Sequence, residues 1–143
     1  MEFDVIIVGG GPAGASAGVH LAAAGARVLL AERERFPREK LCGEFISPEC
    51  LEHFARLGVS EEMSRGGAQV SETVFYAPSG RGVSVPSAWF GAAAGAALGL
   101  SRAEMDARLL ARAREAGAVV LEEAALAGVV FEGGRVRGVR LHA

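Results

Sequence analysis

The apolar positions of this chain change period several times, and those changes divide it into elements. Val5, Ile6, Ile7 and Val8 form an unbroken apolar run, the pattern of a parallel strand covered on both faces rather than of an edge strand. A glycine-rich turn interrupts the run. A helix follows, with Ala13, Ala17, Leu21 and Ala24 at helical spacing and Gly25 placed to close it. Arg27 to Ala31 reads as a second buried strand. Ser47, Pro48 and Glu49 open another helix with a capping serine and proline in the first turn; its apolar side is Leu51, Phe54, Ala55 and Leu57, and Gly58 ends it. Val70, Val74 and Tyr76, then Val83 and Val85, flank Pro78-Ser79-Gly80 as a β-hairpin. Ala88 to Leu100, rich in glycine and alanine, predicts a loop or a weak helix. Ser101 and Glu104 form a capping box ahead of a helix through Met105, Leu109, Leu110 and Ala113 that stops at Gly117. Val119 to Leu121 is a strand, and Val129 to Phe131 pairs with Val136 to Leu141 in a last hairpin. The fold class is therefore α/β: a parallel βαβ core with strands near residues 3–8, 27–31 and 118–121, and an added antiparallel hairpin near 129–141.

The first turn carries the chemistry. Gly9, Gly11 and Gly14 stand at the G-x-G-x-x-G spacing between a strand and a helix. Gly9 permits the tight turn, Gly11 lets the backbone approach a pyrophosphate, and Gly14 lets the helix lie close on the strand. Pro12 suits the first helical turn, where its missing amide hydrogen would be unpaired anyway. The helix N-terminus offers free amides and a positive dipole end to an anion. Glu32 ends the second strand, about twenty residues past the turn, where a carboxylate accepts hydrogen bonds from ribose hydroxyls and repels a 2′-phosphate. Together these residues predict a dinucleotide site, and Glu32 argues against NADP there.

Composition sets the remaining bounds. The 143 residues suffice for one domain with a core, and 50% hydrophobic against 22% charged residues describes a globular chain. A net charge of -2 leaves no basic face for nucleic acid. The acidic start Met1-Glu2-Phe3-Asp4 lacks the basic segment of a signal peptide, and no apolar run reaches transmembrane length, so the expected location is cytoplasmic. Cys42 and Cys50 are expected to be reduced rather than bridged, and two cysteines make no metal site. His20, His53 and His142 have no ligand pattern around them and read as surface or packing residues; Trp89, Phe90 and Asp106 read as structural.

With the Gly9 to Gly14 turn, Glu32, Leu41-Cys42-Gly43-Glu44 and the run from Ser101 to Val120 in this order, the chain resembles FAD-dependent oxidoreductases. It is similar to geranylgeranyl reductases, within the wider group built like p-hydroxybenzoate hydroxylase, and Cys42-Gly43-Glu44 points to the reductase branch. The resemblance implies a Rossmann-type FAD/NAD(P)-binding domain with FAD as cofactor. Gly9, Gly11, Pro12, Ala13 and Gly14 would hold the pyrophosphate, and Glu32 the adenosine ribose, with Arg33 counted beside it. Cys42 and Gly43 would approach the flavin, Arg102 would reach the phosphate and ribitol region, and backbone near Leu126 would face the adenine. The rest of Arg33 to Lys40 reads as a solvated connection.

The resemblance covers nearly the whole chain but about the first third of such an enzyme. Residues 1–143 are accordingly expected to form one FAD-binding domain, truncated relative to full-length members, with 69–100 as an excursion toward a substrate domain. Phe45 stands where relatives commonly carry glycine, and their later G-D segment is not in this sequence. The implied reaction passes electrons from a donor such as NAD(P)H through the flavin to a carbon–carbon double bond or to dioxygen. No residue stands out as a general acid or base. Two other classes stay open at this point. One is an NAD-binding dehydrogenase domain, which would share Gly9, Gly11, Gly14 and Glu32 without needing Leu41 to Glu44. The other is a non-catalytic fragment or half of a split flavoenzyme, self-associating or completed by a partner chain.

Overall fold

The structure is a computed structural model that describes residues 2–42, 44–90 and 95–142. In chain order its elements are β1 (Val5–Val8), α1 (Pro12–Ala23), β2 (Val28–Ala31), β3 (Phe45–Ile46), α2 (Pro48–Leu57), α3 (Ser60–Gly66), β4 (Ala68–Val70), β5 (Glu72–Tyr76), β6 (Gly82–Pro86), a 3-10 turn (Ser87–Phe90), β7 (Ala97–Gly99), α4 (Arg102–Glu115), β8 (Val119–Leu121), β9 (Ala125–Glu132) and β10 (Arg135–His142). They gather into two compact units, residues 1–39 with 105–143, and residues 40–104. No helix among the described residues is long and apolar enough to cross a membrane.

The first unit is built on a parallel sheet in the order β1-β2-β8. β2 is its centre, and all four of its residues are buried. β1 departs from expectation. Among the described residues it pairs with β2 alone, so it lies at an edge, half-buried, with Val8 48% exposed. An apolar run reports that a strand is short of polar residues, not how many neighbours it has. The α/β class and the parallel βαβ core stand as expected.

Helix α1 turns a different face to the sheet from the one its alanines suggested. Ala15, Gly18 and Val19 are buried, whereas Ala13 and Ala24 are exposed. A Cβ on Gly18 would lie 3.5 Å from Leu30, 3.6 Å from Ala113 and 3.8 Å from Ile7, so close backbone approach rather than side-chain bulk selects this face. From Met105 onward α4 buries Met105, Leu109, Leu110 and Ala113 along one stripe, and with them the carboxylate of Asp106. β9 and β10 form a longer hairpin than the sequence suggests, turning at Gly133 and Gly134, both at positive φ.

The second unit holds most of the surprises. β3, β7 and β4 make an antiparallel sheet, and β5 pairs with β6. Val70 thus belongs to β4 and not to the 69–85 hairpin. The stretch expected to be loop or weak helix contains a 3-10 turn and then strand β7, with Gly91 to Ala94 outside the described residues. Helix α3 was not legible at all; it buries Met63 completely. Ser47 starts α2, but its hydroxyl makes no capping bond and lies 3.5 Å from Cys50 Sγ. Gly58 closes that helix in the left-handed conformation at φ +74°, as its position suggested. Trp89 is 76% exposed rather than packed, while Phe90 meets Phe45 edge to face, 5.8 Å between centroids.

Candidate functional site

The turn between β1 and α1 is held from three sides. The Gly9 amide donates to the Ala31 carbonyl at 2.8 Å, and its φ of +106° is one that side chains disfavour. A Cβ on Gly14 would overlap the Gly9 carbonyl oxygen, so helix and strand can meet here only without one. Gly11 is the N-cap of α1 and Pro12 follows in the first turn, with no side chain bonded across the helix start. The opening amides of α1 are therefore not capped from within that turn, which is the condition an anion needs.

Glu32 is brought to the same turn. Its side chain is nearly enclosed, and Oε2 accepts the Gly10 amide at 2.6 Å while Oε1 accepts the Glu34 amide at 2.9 Å. Its own backbone bridges β8 and the following loop, with its amide donating to Leu121 O at 2.8 Å and its carbonyl accepting from Ala124 N at 2.9 Å. A carboxylate has about four acceptor directions, so these two bonds leave capacity on each oxygen for ribose hydroxyls. Gly10, to which the sequence assigned no task, is what lets the acid in: a Cβ there would stand 3.2 Å from Glu32 Cβ and 3.1 Å from Leu110.

The other expected site residues are more scattered. Ala13 is exposed in the first turn of α1, and Arg33 is exposed and ion-paired to Glu34 at 3.3 Å. Leu126, 44% exposed, pairs with Leu141 in the β9–β10 hairpin. Cys42 and Arg102 belong to the second unit. Cys42 is an exposed free thiol; Arg102 is the first residue of α4, behind a cap in which the Glu104 amide donates to Ser101 Oγ at 3.2 Å. Gly43 lies outside the described residues. Glu44, just beyond it, has φ +55°, unusual for a residue with a side chain.

The loop after Glu32 is solvated at most of its side chains, as expected, with Phe36 and Arg38 as the less exposed exceptions, and it is braced through its backbone. The Phe36 amide donates to Glu122 Oε1 at 2.6 Å, and Arg114 also hydrogen-bonds Glu122. Burial opposes ionisation of Glu122, but the Phe36 amide and the Arg114 guanidinium outweigh it and hold the carboxyl below the usual range. Arg38, in the same loop, reaches Asp106 on α4 at 3.3 Å.

The chain matches the FAD binding domain family over residues 2–142 and belongs to that family. More particularly, it is similar over nearly its whole length to named reductases and to an FAD-dependent halogenase. It is 38% identical over 144 residues to digeranylgeranylglycerophospholipid reductase 2 of Methanopyrus kandleri, an alignment covering 93% of this chain and 34% of that protein. Among solved structures it superposes on the myxobacterial chondrochloren halogenase, described as an FAD-dependent halogenase, with a TM-score of 0.86 at 34% identity, covering 97% of this chain and 32% of the other. A geranylgeranyl bacteriochlorophyll reductase-like protein from Thermoplasma acidophilum gives a TM-score of 0.80 at 29% identity, with 97% and 34% covered. The chain thus spans about a third of the length of these relatives. Family membership decides between the two cofactors left open by the glycine turn: the cofactor is FAD.

Proposed function

We propose that this chain is the Rossmann-type cofactor module of an enzyme that reduces carbon–carbon double bonds, the electrons being drawn from NAD(P)H. The observation that carries the reading is the junction of the glycine turn and the Glu32 carboxylate, with acceptor capacity left on both oxygens. In this reading Gly9, Gly11, Pro12, Ala13 and Gly14 seat the pyrophosphate on the first amides of α1. Glu32 orients the adenosine ribose, with Arg33 beside it and the backbone near Leu126 toward the adenine. Cys42, Gly43 and Arg102 serve the flavin half of the cofactor. FAD supplies the electron transfer when bound; the chain's own residues bind and orient it. The whole chain acts as one FAD-binding domain, and residues 69–100 face a substrate domain or a completing partner chain. The reductase name and the Cys42-Gly43-Glu44 step favour reduction over oxygen chemistry, and the halogenase likeness keeps a flavin-dependent oxygenase as the second reading. The reading also places the protein in the cytoplasm.

Replacing the acid tests the site. Glu32→Ala should weaken FAD binding by about 1–3 kcal/mol, the range for hydrogen bonds to a charged group. Glu32→Gln, which keeps an acceptor for the Gly10 amide and gives up the one for the Glu34 amide, should lose less stability than Glu32→Ala and still bind more weakly. Fluorescence titration with FAD measures both, and unchanged affinity in the two variants would take the acid off the ribose.

A further inference from the structure

Arg38 sits in a loop that the sequence reads as a solvated connection, yet its side chain is only 15% exposed. Its Nη1 lies 3.3 Å from Oδ2 of Asp106, which is completely buried on α4, but has no hydrogen-bond partner of good geometry within the protein. The Phe36 ring lies against the guanidinium, 4.7 Å from its carbon to the ring centroid. Nη2 points at the glycine turn: it is the nearest atom to where a side chain on Gly11 would begin, at 3.6 Å.

Burying a guanidinium is costly unless its charge is paired, and here Nη1 is set against the buried Asp106 carboxylate, which leaves Nη2 as the nitrogen nearest the turn. The buried carboxylate and the aromatic ring fix the guanidinium plane, so little side-chain freedom is left to lose on binding an anion. The side of the turn that Gly11 keeps clear of side-chain atoms is the side the guanidinium faces. A planar fork of donors in that position matches the oxygens of a phosphate group.

We propose that Arg38 is a cofactor-binding residue of this chain, receiving a diphosphate oxygen at the Gly11 side of the turn. The assignment rests on the FAD reading and adds to it a cation that the glycine motif lacks. It also accounts for the loop's bracing: the bonds from Phe36 to Glu122 and from Glu34 to Glu32 hold both flanks of a segment whose task is to present Arg38.

A ladder of ligands separates phosphate recognition from folding. Adenosine, ADP and FAD are titrated calorimetrically into the parent chain, Arg38→Met and Arg38→Lys, with circular dichroism to check that each variant is folded. Arg38→Met should bind ADP and FAD about 10- to 100-fold more weakly and adenosine unchanged, the range for charge-assisted hydrogen bonds. Arg38→Lys should fall between, since it keeps the charge and loses the fork; it carries the test if the methionine variant does not fold. Parallel losses for all three ligands, or no loss for ADP, would overturn the assignment while leaving FAD binding by the parent intact. A parent chain that binds neither ADP nor FAD would instead refute the FAD reading, and the assignment with it.

Discussion

Strand β2 and the β5–β6 hairpin are both rich in apolar residues, but their surroundings differ completely. In β2 every residue is buried, between β1 and β8 and under Gly18 of α1. In the hairpin Phe75 is 58% exposed, Tyr76 73% and Val83 65%. β2 is covered by neighbours drawn from far along the chain; β5 and β6 have each other, and among the described residues their apolar side chains stay largely in solvent. Hydrophobicity alone therefore does not locate the core. What distinguishes the two regions is whether small residues elsewhere permit close approach, as Gly18 and Gly14 do.

The contrast can be broken at its strongest point first. Leu30→Ala removes a completely buried side chain and should cost about 2–5 kcal/mol in chemical denaturation, as truncations in a close-packed core do. A cost below 1 kcal/mol by the same scale would mean β2 is not the centre of the core.

The two glycines of the turn should then separate folding from binding. Gly14→Ala forces a methyl into the Gly9 carbonyl and should destabilise by about 3 kcal/mol or more, the upper part of the range for overpacking. Gly11→Ala meets Arg38 at an ordinary 3.6 Å, and the backbone φ of -69° suits any residue. Its melting temperature should match the parent's while FAD affinity falls. A Gly11→Ala chain that unfolds would show this position to be structural.

Acid should act on the same region more gently. Glu122 has its carboxyl held below the ordinary value of 4.5, so its stabilising contribution is present above that value and is lost as the pH falls through its depressed folded value. Asp4, hydrogen-bonded by the Arg27 side chain and then by its amide, is lowered from 3.8 to about 2; its contribution is present above 3.8 and is lost as the pH falls through about 2. Melting temperature should decline in acid, and Glu122→Gln should remove the part of that decline that Glu122 contributes. The smallest effect belongs to the hairpin. Tyr76→Ser should change stability by no more than about 0.5 kcal/mol, the range for exposed sites away from special features; a large loss would mean the hairpin is covered after all.

How much of this was legible in the sequence follows from the range of the interactions involved. The sequence places β1, the glycine turn, α1, β2 and Glu32 correctly in order because each depends on residues close by and on spacings set by the backbone. The capping box at Ser101 and Glu104 and the stripe of α4 are local in the same way. β3 and β7, two and three residues long, are too short for any period to show. Helix α3 has one buried apolar residue, Met63, in seven, and so no stripe. Arg38 was passed over because its partners, Asp106 and Gly11, come from distant parts of the chain; only its place among charged residues is visible locally. The hidden contribution of Gly10 has the same origin, since the neighbours that leave no room for a side chain there, Leu110 and Glu32, are distant in sequence.

The central claim is that this chain carries a built FAD site. Titration of the purified chain with FAD, followed by absorbance and flavin fluorescence with NAD as the parallel ligand, tests it most directly. The account predicts saturable binding of one FAD per chain with a shifted flavin spectrum, and no comparable response to NAD. Failure of FAD to saturate the chain, or saturation by NAD in its place, would contradict it.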